Sequence, residues 1–179
     1  MRTYIRDRTC GATYFITLNL LDRQSKLLTA HIEEFRIAYR RTQHSVPFEL
    51  NALVVLPDHV HLMLTLSEGD DDCAKRISCL KGQFSCQIPK TEFINESRTS
   101  KGERGIWQRR YWEHRIRDEL DYQRHMDYIH YNSVKHGHVL KVSDWVYSTF
   151  HRYVRQGVYP VNWTNDGLTD FEGVGESDV

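Results

Sequence analysis

His59-Val60-His61, in an otherwise apolar run, sets two imidazoles two positions apart. Side chains alternate across a strand, so His59, His61 and Met63 emerge on one face while Val60 and Leu62 go to the other. Two imidazoles side by side are half of a metal site, or else hydrogen-bonded surface histidines; a third ligand has to come from elsewhere. A second group lies further on. At about 100° per residue, a helix through this region puts Tyr122, Met126 and Ile129 on a buried stripe and gathers Asp121, His125, Tyr128 and Asn132 on a polar flank. Tyr128 and Asn132 are four apart and therefore neighbours, a phenol beside an amide oxygen able to complete a hard-metal shell. Tyr131 points further from the stripe, and periodicity does not choose between the two tyrosines.

The elements that must position these residues follow from the same chain. Residues 13–20 (TYFITLNL) are β-branched and aromatic and read as a first strand. Thr29 is expected to cap a helix over 30–44, with Ile32, Phe35, Ala38 and Tyr39 recurring at three and four. Residues 48–56 and 59–66 are two β-rich runs separated by Pro57-Asp58, a tight hairpin. The acidic turn at 69–72 leads into a helix with Ile77, Leu80, Phe84 and Ile88 on one stripe. A polar stretch over 91–105 reads as a mobile loop, residues 107–116 hold a short strand, and Asp118-Glu119 opens a long helix ended by His136-Gly137. A further amphipathic helix is expected over 143–155. The order β-α-β-β-α-β is the ferredoxin-like split βαβ arrangement, an α+β fold with an antiparallel sheet, here with added C-terminal helices.

Composition bounds the rest. The 179 residues carry 24 Lys+Arg against 24 Asp+Glu, and 40% hydrophobic content with 12% aromatics argues against disorder. One domain over 1–163 is expected, followed by a tail over 164–179 with five acids and no base. No window has the roughly 20 apolar residues that span a bilayer and the first residues hold no apolar signal core, so a cytoplasmic protein is expected. Cys10, Cys73, Cys79 and Cys86 form no CxxC pair and are read as packing residues. Residues 75–117 contain eleven basic side chains against four acidic ones, interleaved with Trp107, Tyr111 and Trp112. Such a block suits a phosphate backbone with unstacked bases, although a solvated face is the plainer reading of charge alone.

Several ordered motifs carry a closer resemblance. Leu56-Pro57-Asp58-His59-Val60-His61-Leu62, Trp107-Gln108-Arg109-Arg110-Tyr111-Trp112-Glu113-His114, Arg117-Asp118-Glu119 and Asp127-Tyr128-Ile129-His130-Tyr131-Asn132-Ser133-Val134-Lys135-His136-Gly137 resemble the signatures of REP-associated tyrosine transposases, single-tyrosine HUH enzymes of single-stranded DNA. The likeness runs from about Tyr4 through Ser143-Asp144-Trp145 to Trp163. It implies that His59 and His61 are the HUH metal ligands, that Tyr128 and not Tyr131 is the nucleophile, and that Asn132 is the polar ligand. Ser133 stands where the family usually has proline, and Val146 where proline often follows the tryptophan. Without the proline the helix is free to continue, which bears on where Asn132 sits.

The activity so implied is a metal-dependent single-stranded DNA endonuclease and strand transferase acting on REP-type hairpins through a 5′-phosphotyrosine, with Mg²⁺ or Mn²⁺. Lys75, Arg76, Lys81, Trp107, Arg109 and Arg110 are the candidates for holding DNA, and the REP-associated members point to a monomer. The alternative is a hairpin-DNA-binding regulator that does not cleave. A hydrolase using water is a third reading, for which cleavage would survive Tyr128→Phe.

Overall fold

The computed structural model describes residues 7–165 together with Phe171 and Val174. Its frame is a four-stranded antiparallel sheet of order β2-β3-β1-β4, built from β1 (Thr13–Asn19), β2 (Glu49–Val55), β3 (His59–Thr65) and β4 (Trp112–Arg115). β1 is central and buried on both sides because its alternation serves two cores. Tyr14, Ile16 and Leu18 pack with Val60, Leu62 and Leu64 beneath α2 (Ile32–Ser45) and α3 (Cys73–Gln87). Phe15 and Met63 pack on the opposite face with Met126 and Ile129 of α5 (Glu119–Lys135) and Phe150 of α6 (Phe150–Arg155). The result is the ferredoxin-like α+β fold, with α5 lying across β2 and β3. Among the described residues, no helix is long and apolar enough to cross a membrane.

Four expectations are revised. Thr29 does not cap the first long helix. It lies inside a separate turn, α1 (Leu27–Ala30), where its hydroxyl donates to the Lys26 carbonyl, and α2 begins after His31 with no side-chain cap. The stretch 91–105 is not a featureless loop: it contains α4 (Glu96–Thr99), capped by Asn95, and two arginines tie it down. Arg98 donates to the carbonyls of Arg104 and Trp107, and Arg104 pairs with Glu92 while reaching the carbonyls of Ile88 and Pro89. Polar composition marked the segment as loop, but the Arg98 and Arg104 guanidinium groups pin it to the carbonyls that flank it.

The expected helix over 143–155 is two short pieces, a 3₁₀ turn (Val142–Asp144) and α6. Between them the chain is extended, because Tyr147 and Leu53 exchange it onto the edge of β2: Val55 N–H donates to the Tyr147 carbonyl and Thr149 N–H to the Leu53 carbonyl. Pairing to an open sheet edge outweighs helical periodicity there. Finally, Cys10 and Cys86 are exposed, so packing describes Cys73 and not all four thiols.

Candidate active site

The β2–β3 turn and β3 set the two histidines. Leu56 N–H donates to the His59 carbonyl across the turn, and Leu20 N–H donates to the Asp58 carbonyl, anchoring the turn on β1. As strand alternation requires, His59 and His61 face the α5 side with ring centroids 4.9 Å apart, and each is only 3% exposed. Each ring has one nitrogen held. His59 Nδ1 lies 2.7 Å from Asp58 Oδ1, and Asp58 in turn takes Arg23 Nε at 3.1 Å. His61 Nδ1 lies 2.9 Å from Thr17 Oγ1, its register partner on β1. These bonds orient both imidazoles with Nε2 as the remaining ligand atom, the arrangement by which outer groups fix metal-binding histidines.

Burial adds to the effect. Desolvation holds the His61 pKa well below the usual imidazole value, so this ring is neutral at pH 7. Burial works to raise the Asp58 carboxyl, yet the hydrogen bond from His59 keeps it below the ordinary range and charged.

α5 delivers the other groups. Asp118 caps it by accepting from Asp121 N–H, and the helix runs unbroken through Ser133, as the missing proline allows. The flank read as polar is buried against the sheet: His125, Tyr128 and Asn132 are all inside. A helix lying across a sheet with another layer over it has little solvent face to spare, so the polar groups there must find partners. The Tyr128 ring packs edge-on to His61 at 5.3 Å and to Phe15 at 5.8 Å, while Lys135 Nζ lies 3.4 Å from its hydroxyl. Tyr131 instead packs against Trp163 and Phe171.

The donor set fits a cation. His61 Nε2 and both polar atoms of the Asn132 side chain are buried, and no partner for them exists among the described residues. Leaving such atoms unpaired costs about 1–3 kcal/mol each, a penalty a bound cation would offset at His61 Nε2 and Asn132 Oδ1, whose lone pairs can ligate, while the Asn132 amide N–H groups need an acceptor. Beyond His59 the site opens into a groove of about 470 Å³ lined by Arg23, Lys26, His136, His138 and Trp145. His136 stands 5.0 Å from His59, and His138 stacks on Trp145. Thr17, Asp58 and Lys135 thus join the site as supporting residues; Thr17 carries no signal in the sequence, since only strand pairing sets it opposite His61.

The candidate DNA-binding residues divide by depth. Lys75, Arg109 and Arg110 are exposed, with Arg109 Nε held 2.7 Å from Glu103. Arg76 is buried, bonded to Asp70 and to the Pro47 carbonyl, and Trp107 lies in the core beside Phe84 with its indole N–H on Ser85. Lys81 donates to the Gln108 carbonyl at 2.7 Å. Of the tail over 164–179, only Thr164, Asn165, Phe171 and Val174 fall within the described residues. Phe171 meets the Tyr128 ring edge-on at 5.5 Å, and Val174 is buried in the same cluster.

Residues 11–132 match the family of IS200-like transposases. A Haemophilus influenzae protein assigned to the REP-associated tyrosine transposases is 51% identical over 164 residues, covering 91% of this chain and 93% of its own. The REP-associated tyrosine transposase of Escherichia coli strain K12 is 46% identical over 171 residues, covering 96% and 95%. A solved structure of a REP-associated tyrosine transposase bound to a REP hairpin superposes with a TM-score of 0.84 at 45% identity, covering 100% of this chain and 99% of that one.

Proposed function

Because this chain belongs to the IS200-like transposases, and within them to the REP-associated tyrosine transposases, we propose that it nicks and rejoins single-stranded DNA at REP-type hairpins through a 5′-phosphotyrosine. The observation that carries the reading is that buried His61 Nε2 and the Asn132 side-chain atoms have no hydrogen-bond partner among the described residues, with Asn132 one helical turn from Tyr128. His59, His61 and Asn132 would hold Mg²⁺ or Mn²⁺, whose chemistry is Lewis-acid polarisation of a non-bridging oxygen of the scissile phosphate.

Tyr128 Oη attacks phosphorus in line, and the bond from phosphorus to the 3′ oxygen breaks. The phenol gives up its proton as the new ester bond forms and the departing 3′ oxygen takes one up, so the products are a tyrosyl 5′-phosphate ester and a free 3′-hydroxyl. The ester retains the energy of the broken bond, so a 3′-hydroxyl can attack it later and restore Tyr128 without ATP. Lys135, 3.4 Å from the phenol oxygen, places positive charge where the phenolate develops. Lys75, Arg109 and Arg110 are the exposed candidates for the hairpin backbone. The solved relative with its bound REP hairpin supports this choice of DNA. The enzyme acts as a monomer in the cytoplasm, on the nucleoid.

The test is incubation of the purified protein with labelled REP hairpins from its own genome and Mg²⁺ or Mn²⁺, beside Tyr128→Phe, on a denaturing gel. The expected result is a metal-dependent covalent band absent from the variant. Tight binding with no adduct in either metal would move the reading to a regulator that binds hairpins without cutting. Cleavage that persists in Tyr128→Phe would mean water is the nucleophile.

One observation favours a restrained form of the enzyme: Phe171 covers the Tyr128 ring, which is 3% exposed. We infer that the acidic tail competes with DNA for this surface.

A further inference from the structure

A second group of ligating side chains lies at the start of α5, on the far side of Phe15 from the paired histidines. His114 projects from β4, Asp121 from the first turn of α5 and His125 from the next turn. The Asp121 carboxylate faces both imidazoles: Oδ2 lies 2.8 Å from His114 Nε2, and Oδ1 lies 3.0 Å from His125 Nδ1. The two rings stack at 4.7 Å with 13° between their planes, and the three ligand atoms all lie within 4.8 Å of one another. His125 also points Nδ1 at the Asp121 carbonyl, 2.8 Å away, and Arg117 N–H donates to Oδ2 at 3.0 Å.

We propose that His114, Asp121 and His125 form a second divalent-cation site, one that takes a late first-row ion, Zn²⁺ before Mn²⁺, and clamps β4 to α5. Bonds of about 2.0–2.2 Å to nitrogen and oxygen place tetrahedral ligands about 3.4 Å apart, so the three atoms need only small shifts to share one ion. Two imidazoles and one carboxylate are the facial set that suits such metals and leaves positions open. His114 and Asp121 are half-buried, so water has access to those positions. On binding, each imidazole carries its proton on the other ring nitrogen. The site uses none of the residues assigned to catalysis. Phe15 separates the two centres, with His125 at 4.8 Å on one side of its ring and His61 at 5.5 Å on the other.

A clamp has a purpose at this point in the fold. Among the described residues β4 is an edge strand of four residues paired to β1, and α5 carries both Tyr128 and Asn132. An ion bonded to His114 and to two turns of α5 ties this short strand to the helix that bears the proposed nucleophile.

The test uses the full chain with His59→Ala and His61→Ala, which removes the catalytic pair as a competing site. The chelator-stripped protein is titrated with Co²⁺ and with Zn²⁺, followed by visible absorption of Co²⁺, metal content after gel filtration, and the thermal midpoint. The expected result is about one equivalent bound and a rise in Tm of about 5 °C or more at a hundredfold excess over Kd. Adding Asp121→Asn should abolish both, and adding His114→Gln should weaken binding at least tenfold. His114 lies on the edge strand, so His114→Gln decides the matter if the Asp121 variant fails to fold. The proposal is overturned if the double variant binds no metal. It is equally overturned if metal content and Tm shift are the same with His114→Gln as without it.

Discussion

At the scale of single residues, Asp58 governs the orientation of an imidazole proposed to hold the metal. It is not a ligand itself, yet its carboxylate holds His59 Nδ1 at 2.7 Å and is itself held by Arg23. Asp58→Asn keeps the shape and loses the charge, which leaves His59 free to turn and less basic toward a metal. Such outer-group changes typically weaken metal affinity 10–100-fold. Titration of Mn²⁺ into wild type and Asp58→Asn should show a loss in that range with the fold intact by circular dichroism. An unchanged affinity would mean His59 is oriented by packing alone.

At the scale of elements, the end of α5 does as much as its middle. Gly137 takes φ 68° immediately after the helix cap, with Gly137 N–H on the Val134 carbonyl and His138 N–H on the Ser133 carbonyl. That is a Schellman ending, and it turns the chain so that His136 meets His59 and His138 stacks on Trp145. Among the described residues beyond its chain neighbours, no atom lies within 4 Å of where a Gly137 Cβ would be, so the cost of a side chain is conformational and not a clash. Gly137→Ala should cost about 1–2 kcal/mol from the left-handed backbone alone. Urea denaturation measures it, and a cost near zero would show that the turn relaxes elsewhere.

At the scale of the whole molecule, two features govern behaviour that no single element shows. The first is acid stability. Arg104 hydrogen-bonded to Glu92 holds its carboxyl down to about 2, and the pair ties the segment 91–105 to the end of α3. A carboxyl lowered in the folded state adds stability above its unfolded value near 4.5, and that stability is lost as pH falls toward 2. Glu92→Gln should therefore cost about 1–2 kcal/mol at pH 7, discounted for partial exposure, and flatten the stability profile between about 4.5 and 2. Urea midpoints across that range, compared with wild type, check both halves. The second feature is the tail. Removing residues 164–179 takes away Phe171, which covers Tyr128, and five acids. Cleavage of a REP hairpin should rise, and DNA binding should tighten most at low salt, where charge is least screened. Equal rates and equal salt slopes would leave the tail without this role.

The strands, the long helix, and the placement of His59 and His61 on one strand face were legible in the chain because they rest on local rules. Alternation puts both histidines on one face, helical spacing makes Asn132 a neighbour of Tyr128, and ordered motifs resemble one family. What local rules could not carry was depth and pairing between distant segments. Residues 145–149 read as helix but pair with β2, because an open sheet edge offers hydrogen bonds that periodicity does not register. Arg76 and Trp107 look in sequence like a basic, aromatic surface, yet long-range packing buries both. Thr17 became a partner of His61 only through the register of β1 on β3. Residue types and their spacing named the groups capable of reaction; burial and orientation came only with the fold, because those properties depend on contacts between segments far apart in the chain.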